Sequence, residues 1–357
     1  MESVFQGLRV LDLSSVLAGP SVASFFAELG ATVIKVENPR TKGDVTRSWK
    51  LPSESADSEV SAYFSSVNYG KNYQWIDLTQ PENRHTIEEL IRSSDVVIVN
   101  FKEGDDEKFR LTSRDIHSLQ PQAIYASLKG FQSDAHRIAY DVVLQAECGF
   151  MFMNGNETSG PLKMPVALID VIAAHQLKEG ILCALLHRAS TGQGSTVRTT
   201  LEESALSALV NQASNYLMEG QIAHAAGSLH PNIAPYGETF RCGDGKQLVL
   251  AVGSDTQFKL LCEVLQLNEL IDDERFKSNP QRVIHRKQLA NHLEEIFSTK
   301  QRAEWVDQLT AIGIPVGAVR SIDEVLSSDV AKKMILEEQM GNQVTRRLSG
   351  VSFTLEF

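Results

Sequence analysis

Residues 8–36 read LRVLDLSSVLAGPSVASFFAELGATVIKV, and the fold follows from how this stretch alternates. Leu8 to Leu13 is a short apolar run rich in Leu and Val, the mark of a buried strand. Ala18-Gly19-Pro20 breaks it, Ser21 to Leu29 has helical character, and Gly30 stands where a left-handed residue ends a helix. Ala31 to Val36 is a second strand. Strand, helix and strand within about 30 residues make a βαβ unit, which requires a parallel sheet and a right-handed crossover. The alternation continues: 82–93 is helical, and 94–101 and 123–128 are strands. These segments predict an open, doubly wound α/β domain, whose ligands sit at the carboxyl ends of the strands.

Further along, 179–189 predicts a helix, 195–199 a strand and 201–218 one long helix. From 219 to 235 the period is lost and Gly, Pro, His and Asn accumulate, a linker signature. Residues 239–252 predict a hairpin turning at Gly243-Asp244-Gly245, followed by helices through Leu309. These match a smaller α+β domain; 314–319 and the remaining tail are strand-like again, with one further helix near 322–327. The predicted division is a large domain of 1–218 and 330–357, a linker of 219–235, a small domain of 236–316 and a return linker of 317–329.

The 357 residues are 42% hydrophobic and 22% charged, enough apolar material for a globular core. A net charge of −11 argues against nucleic acid or an anionic membrane surface as partner. No apolar run approaches the roughly 20 residues needed to cross a bilayer, and the N-terminus lacks a secretory pattern. Cys148, Cys183, Cys242 and Cys262 are scattered, which predicts free thiols and a reducing, cytoplasmic setting.

Asp170 interrupts the apolar run 166–174, VALIDVIAA. A carboxylate there needs a partner or a purpose, and helix N-cap and reactive group both remain open. His136-Arg137 and Tyr140-Asp141 form a polar cluster in which His136 is a candidate acid or base, or simply a structural histidine. Lys35, Lys71, Lys102, Lys108 and Lys129 fall at or near predicted strand ends, where cations meet phosphates, although each alone is an ordinary surface lysine. The first βα turn carries no GxGxxG, and no GxxxxGK[ST], HExxH or EF-hand loop occurs, so neither a nicotinamide cofactor nor a metal is expected.

Eight blocks in order resemble the family III CoA-transferases, which include formyl-CoA:oxalate and carnitine CoA-transferases and α-methylacyl-CoA racemase. The blocks are 7–39, GDVTRSW (43–49), DVVIVNF (95–101), ASLKGF (126–131), YDVVLQAECG (140–149), 166–197, HPNIAPYGETFRCGDG (230–245) and IGIPVGAV (312–319). Together they span nearly the whole chain. The resemblance implies an α/β fold with a Rossmann-like large domain built from both chain ends, a smaller domain from the middle, and an interlocked homodimer. It implies that Asp170 is the nucleophile and that coenzyme A, carried as an acyl-CoA, meets Val16, Leu17, Ala18, Arg40, Lys71, Asn100, Phe101, Lys108, Lys129 and Arg137.

The implied activity is an acyl-CoA:carboxylate CoA-transferase passing through an aspartyl intermediate, with a carboxylic acid as acceptor. The alternative is a racemase that sets His136 and Asp170 across an α-carbon. Two departures from the family pattern, Asn72 and the lack of an LGEHT-like stretch before Phe357, leave a third reading: a silent CoA-binding protein.

Overall fold

The computed structural model describes residues 3–134, 136–156 and 158–356. The chain divides into two compact units, one of 1–152, 163–223 and 329–357, the other of 153–162 and 224–328.

The first unit is built on six parallel strands: β1 (Arg9–Asp12), β2 (Thr32–Glu37), β3 (Lys71–Trp75), β4 (Val96–Val99), β5 (Ile124–Lys129) and β6 (Ser195–Thr200). Their order is β3-β2-β1-β4-β5-β6. β1 lies at the centre, with Val10 opposite both Val33 and Val96. The chain winds outward on either side of it, so the connections reverse between β1 and β4. That reversal opens a crevice at the carboxyl ends of these strands.

Side-chain alternation feeds two cores. Val10, Val96 and Ile98 join helices α1 (Ala18–Glu28) and α5 (Leu168–Thr191) on one face. Leu11, Val97 and Val99 join α2 (Arg84–Arg92) and α3 (Ser113–Leu119) on the other. Each fully buried Leu, Ile or Val contributes about 1.5–3 kcal/mol. Helix α1 ends as its sequence indicates: Gly30 has φ 93° and donates to the Ala27 carbonyl at 3.0 Å. A Cβ at Gly30 would overlap the Ser3 hydroxyl.

The long helix predicted over 201–218 is two helices, α6 (Leu201–Ser207) and α7 (Val210–Glu219). Val210 adopts a left-handed φ of 44°, which propensity alone does not foresee in a β-branched residue. The C-terminal segment forms an antiparallel hairpin of Ile335–Met340 and Gln343–Leu348. Beyond it, Gly350 and Val351 donate their N–H groups to the Glu28 carboxylate of α1, at 3.0 and 3.3 Å.

The second unit holds an antiparallel sheet of β7 (Tyr236–Arg241), β8 (Gln247–Ala251) and β9 (Val316–Ala318), with β8 central. Helices α8 (Asp255–Leu265), α9 (Asn279–Ile284), α10 (Arg286–Phe297) and α11 (Arg302–Ala311) accompany it. Its core includes Phe240, Leu248, Phe258, Phe297 and Trp305. This unit is wider than the predicted 236–316. The 153–162 segment joins it because Gly227 donates to the Gly155 carbonyl at 2.6 Å. The stretch predicted as linker is held as well: Arg282 donates to Ala234 O at 2.9 Å, and Arg286 to His230 O at 2.9 Å and Ile233 O at 3.1 Å. Irregular backbone must find such partners when it lies against a core.

Candidate active site

The first βα turn, between β1 and α1, carries no glycine before Ala18, yet it turns sharply, with Val16 at φ 73°. Side chains hold it instead. Asp12 Oδ1 accepts from the Ser14 N–H (3.0 Å) and the Ser14 hydroxyl (2.5 Å). Asn100, just beyond β4, accepts from Ser15 N–H (3.0 Å) and donates to Ser15 O (2.8 Å). Asp44 accepts from Val16 N–H at 3.1 Å. The one glycine this corner needs is Gly19, whose Cβ would lie 2.4 Å from that of Ser14.

Two buried lysines neutralise these carboxylates. Lys35 Nζ donates to Ser14 O at 2.8 Å and stands 3.3 Å from Asp44 and 3.7 Å from Asp12. Lys71 Nζ gives its three protons to Asp12 (2.9 Å), Pro20 O (2.8 Å) and Asn68 (2.9 Å). Burial pushes the Asp12 carboxyl up, but the charges of Lys35 and Lys71 and the hydrogen bonds from Ser14 and Lys71 outweigh it and bring it down to about 2. Burial draws the Lys71 ammonium down to about 8 against the pull of Asp12.

Lys71 is 6% exposed and its three donors are taken within the protein, the arrangement of a structural cation. Lys71→Met should lower the unfolding free energy by about 3–5 kcal/mol, because it strips a buried carboxylate of a partner. Urea denaturation measures this, and an unchanged midpoint would contradict the assignment.

Around this turn lies a cleft of about 1390 Å³ at the carboxyl edge of the sheet. Its wall takes in Leu13–Ser15, the end of β2 through Asn38, the 42–48 segment, Trp75, and Asn100–Lys102. Of the residues singled out from the sequence, Lys35, Asn100, Phe101 and Lys102 line this cleft directly. Ala18 is buried in the first turn of α1, and Leu17 caps that helix. Arg40 is exposed beside the cleft and pairs with Asp77 at 2.7 Å. Lys108 lines an adjoining recess of about 320 Å³ and is largely exposed. Lys129 faces Glu103 at 3.1 Å. Arg137 forms a bidentate pair with Glu147 and lies over the Phe131 ring. His136 is exposed on a turn, its N–H donated to Asp134 at 3.1 Å.

Asp170 sits in the first turn of the 24-residue helix α5 and is 8% exposed. It is not the N-cap, which is Ala167. Asp141, at the start of helix α4 (Asp141–Glu147), does the capping instead: its Oδ1 accepts from Ile169 N–H at 2.7 Å and Asp170 N–H at 3.4 Å. Gln145, fully buried one turn later, donates to the other Asp141 oxygen at 2.6 Å. With the capping done by Asp141, the Asp170 carboxylate takes no part in capping this helix. Burial, and after it the charge of Asp141, raise its carboxyl to about 7. Tyr63 feels the same field: burial, then the charges of Asp170, Asp141 and Asp44, push its phenol up. Trp49 packs edge-on against Tyr63 at 5.0 Å.

A helix N-terminus stabilises an anion, so Asp170 can ionise; its burial makes that anion weakly solvated and hence nucleophilic. Asp141 was visible in sequence only as part of a polar cluster. Its i,i+4 partner Gln145 in YDVVLQA was the available signal. Asp44 gave none, because its role depends on contacts across the sheet; Lys35 was visible only as a strand-end cation, and its pairing with Asp12 and Asp44 was not.

The sequence profile of CoA-transferase family III matches residues 5–356. A succinate–glutarate CoA-transferase of Agrobacterium fabrum is 38% identical over 332 residues, covering 90% of this chain and 81% of that protein. The succinyl-CoA:glutarate CoA-transferase of Mus musculus is 35% identical over 325 residues, 90% of this chain and 73% of its own. A crystal structure of a CaiB/BaiF family protein from Brucella suis matches with a TM-score of 0.86 at 35% identity, over 99% of this chain and 93% of that one.

Proposed function

The chain belongs to CoA-transferase family III, and from that premise we propose that it moves coenzyme A from an acyl-CoA to a carboxylic acid through a covalent intermediate on Asp170. The observation that carries this reading is the Asp170 carboxylate itself: buried, relieved of capping by Asp141, and raised to about 7. Small dicarboxylic acids are the proposed donor and acceptor class, in line with the names of the relatives from A. fabrum and M. musculus.

The steps balance without a proton. An Asp170 oxygen attacks the thioester carbonyl, the C–S bond breaks, and CoA thiolate leaves a mixed anhydride. The thiolate attacks the Asp170 carbonyl, releasing the donor carboxylate and leaving an aspartyl-CoA thioester. The acceptor carboxylate attacks that thioester, and thiolate departs again. Its attack on the acceptor acyl carbon frees Asp170. Every nucleophile and leaving group is a carboxylate or a thiolate, so His136 has no task in this cycle. A racemase would need His136 as acid or base, and its exposed turn lends that alternative no support. Anhydrides hydrolyse, so an apolar and shielded Asp170 also protects the intermediate.

CoA itself is proposed to lie in the cleft at the carboxyl edge of the sheet, against Val16–Ala18, Asn100 and Phe101, with Arg40, Lys108 and Lys129 at its rim. The working unit is proposed to be an interlocked homodimer. Leu186 on α5, and Val210, Leu217 and Met218 on α7, are 69–79% exposed, which suits a partner chain better than water.

The test is succinyl-CoA with glutarate, followed as glutaryl-CoA formed. Only the carboxylate form of Asp170 attacks, so turnover should be half-maximal near pH 7 and fall about tenfold per pH unit below it. Thioester loss independent of the acceptor, or a flat profile between pH 5.5 and 8, would contradict the proposal.

A further inference from the structure

In a doubly wound domain the N–H groups of the first βα turn ordinarily receive a phosphate of the ligand. Here a carboxylate of the protein is already there. Asp44 Oδ2 accepts from Val16 N–H at 3.1 Å and faces Lys35 Nζ at 3.3 Å. Asp44 Oδ1 accepts from the Thr46 N–H at 3.0 Å, the Thr46 hydroxyl at 2.8 Å and, more weakly, Val16 N–H at 3.3 Å. The side chain is 1% exposed.

The carboxylate is also firmly delivered. Asp44 caps the short helical turn Val45–Ser48, and its own N–H is donated to Glu37 at 2.8 Å. Glu37 in turn takes a two-pronged contact from Arg47, at 2.9 and 2.6 Å. What this assembly holds is a strained residue: a β-branched Val16 at φ 73°, a conformation that persists only where its surroundings over-determine it.

We propose that Asp44 is a positioning residue whose carboxylate acts as a built-in anion in the first βα turn, holding Val16 in its left-handed backbone and so shaping the Leu13–Ser15 floor of the cleft for the nucleotide end of acyl-CoA. This rests on the reading that acyl-CoA enters that cleft. The seat being filled, ligand phosphates are kept out of the turn and bind farther out, where Lys42 and Lys102 line the wall.

The experiment is anion rescue of Asp44→Gly in the full chain. The variant leaves Val16 N–H, Thr46 N–H and the Lys35 ammonium around a vacated space that formate fits. Removing the charged acceptor should raise KM for acyl-CoA about tenfold or more, with kcat changed less than about threefold. Formate at tens of millimolar should restore both KM and melting temperature towards wild type, while equal chloride should not, and wild type should respond to neither.

A melting temperature lowered and indifferent to formate would make Asp44 an ordinary cap and overturn the proposal. So would an equal formate response in wild type. The melting arm needs no acyl-CoA, so it decides the anion seat even if the transferase reading fails. Should Asp44→Gly fold only with formate present, the proposal is supported. Should it fold under neither condition, Asp44→Asn decides, because it keeps an acceptor but not the charge. Raised KM with kcat retained supports the proposal, and a wild-type KM overturns it.

Discussion

Asp170→Asn should lower turnover by about 10³-fold or more while making the protein more stable at pH 8. The loss follows from the chemistry, since an amide nitrogen or oxygen does not form the anhydride. The gain follows from linkage. The Asp170 carboxyl rises from 3.8 to about 7 through burial and the Asp141 charge, so the folded state holds this proton more tightly than the unfolded one. A carboxyl raised by about three units costs roughly 2–4 kcal/mol when ionised. That cost is absent below pH 3.8, grows between 3.8 and 7, and is fully present above 7. Thermal or urea unfolding of the variant should therefore show its advantage at pH 8 and lose it near pH 4. Equal stability at pH 8, or turnover near wild type, would count against the role given to Asp170. A group that is costly to the fold and indispensable to the reaction is the usual form of a stability–activity trade-off.

The second large effect concerns assembly. The chain should sediment at twice its own mass at micromolar concentration, and its melting temperature should rise with protein concentration, as in dimers without a stable folded monomer. Leu217→Asp combined with Met218→Asp places two charges on residues 79% and 78% exposed in the single chain. If that face is solvated, such changes are nearly neutral; if a second chain covers it, they bury unpaired charge and abolish the dimer. A double variant with wild-type mass and melting temperature would remove α7 from the interface.

Residues 8–36 revealed the sheet because local periodicity and the Gly30 stop agree with the final packing. The Asp170 signal was also local, a lone charge in 166–174. Its environment was not legible: the cap comes from Asp141, 29 residues earlier, and only the folded chain brings them together. The burial of Lys71 was not legible for a related reason. A lysine at the start of β3 reads as a surface cation, and its burial depends on Asp12 and Asn68 converging from other segments. The clamp on Val16 is likewise a tertiary device: Asp12, Asp44 and Asn100 replace the glycines whose absence argued against a nucleotide turn. The break between α6 and α7 turns on the backbone of Val210, about which helical periodicity is silent.

The covalent intermediate is the centre of this account, and intact-protein and peptide mass spectrometry test it most directly. Wild-type protein incubated with succinyl-CoA in the absence of acceptor and quenched in acid should carry a CoA adduct on the peptide containing Asp170, removed by glutarate and absent from Asp170→Asn. Acceptor-dependent transfer by a wild-type enzyme that never carries an adduct on that peptide, or an equal adduct on Asp170→Asn, would contradict it.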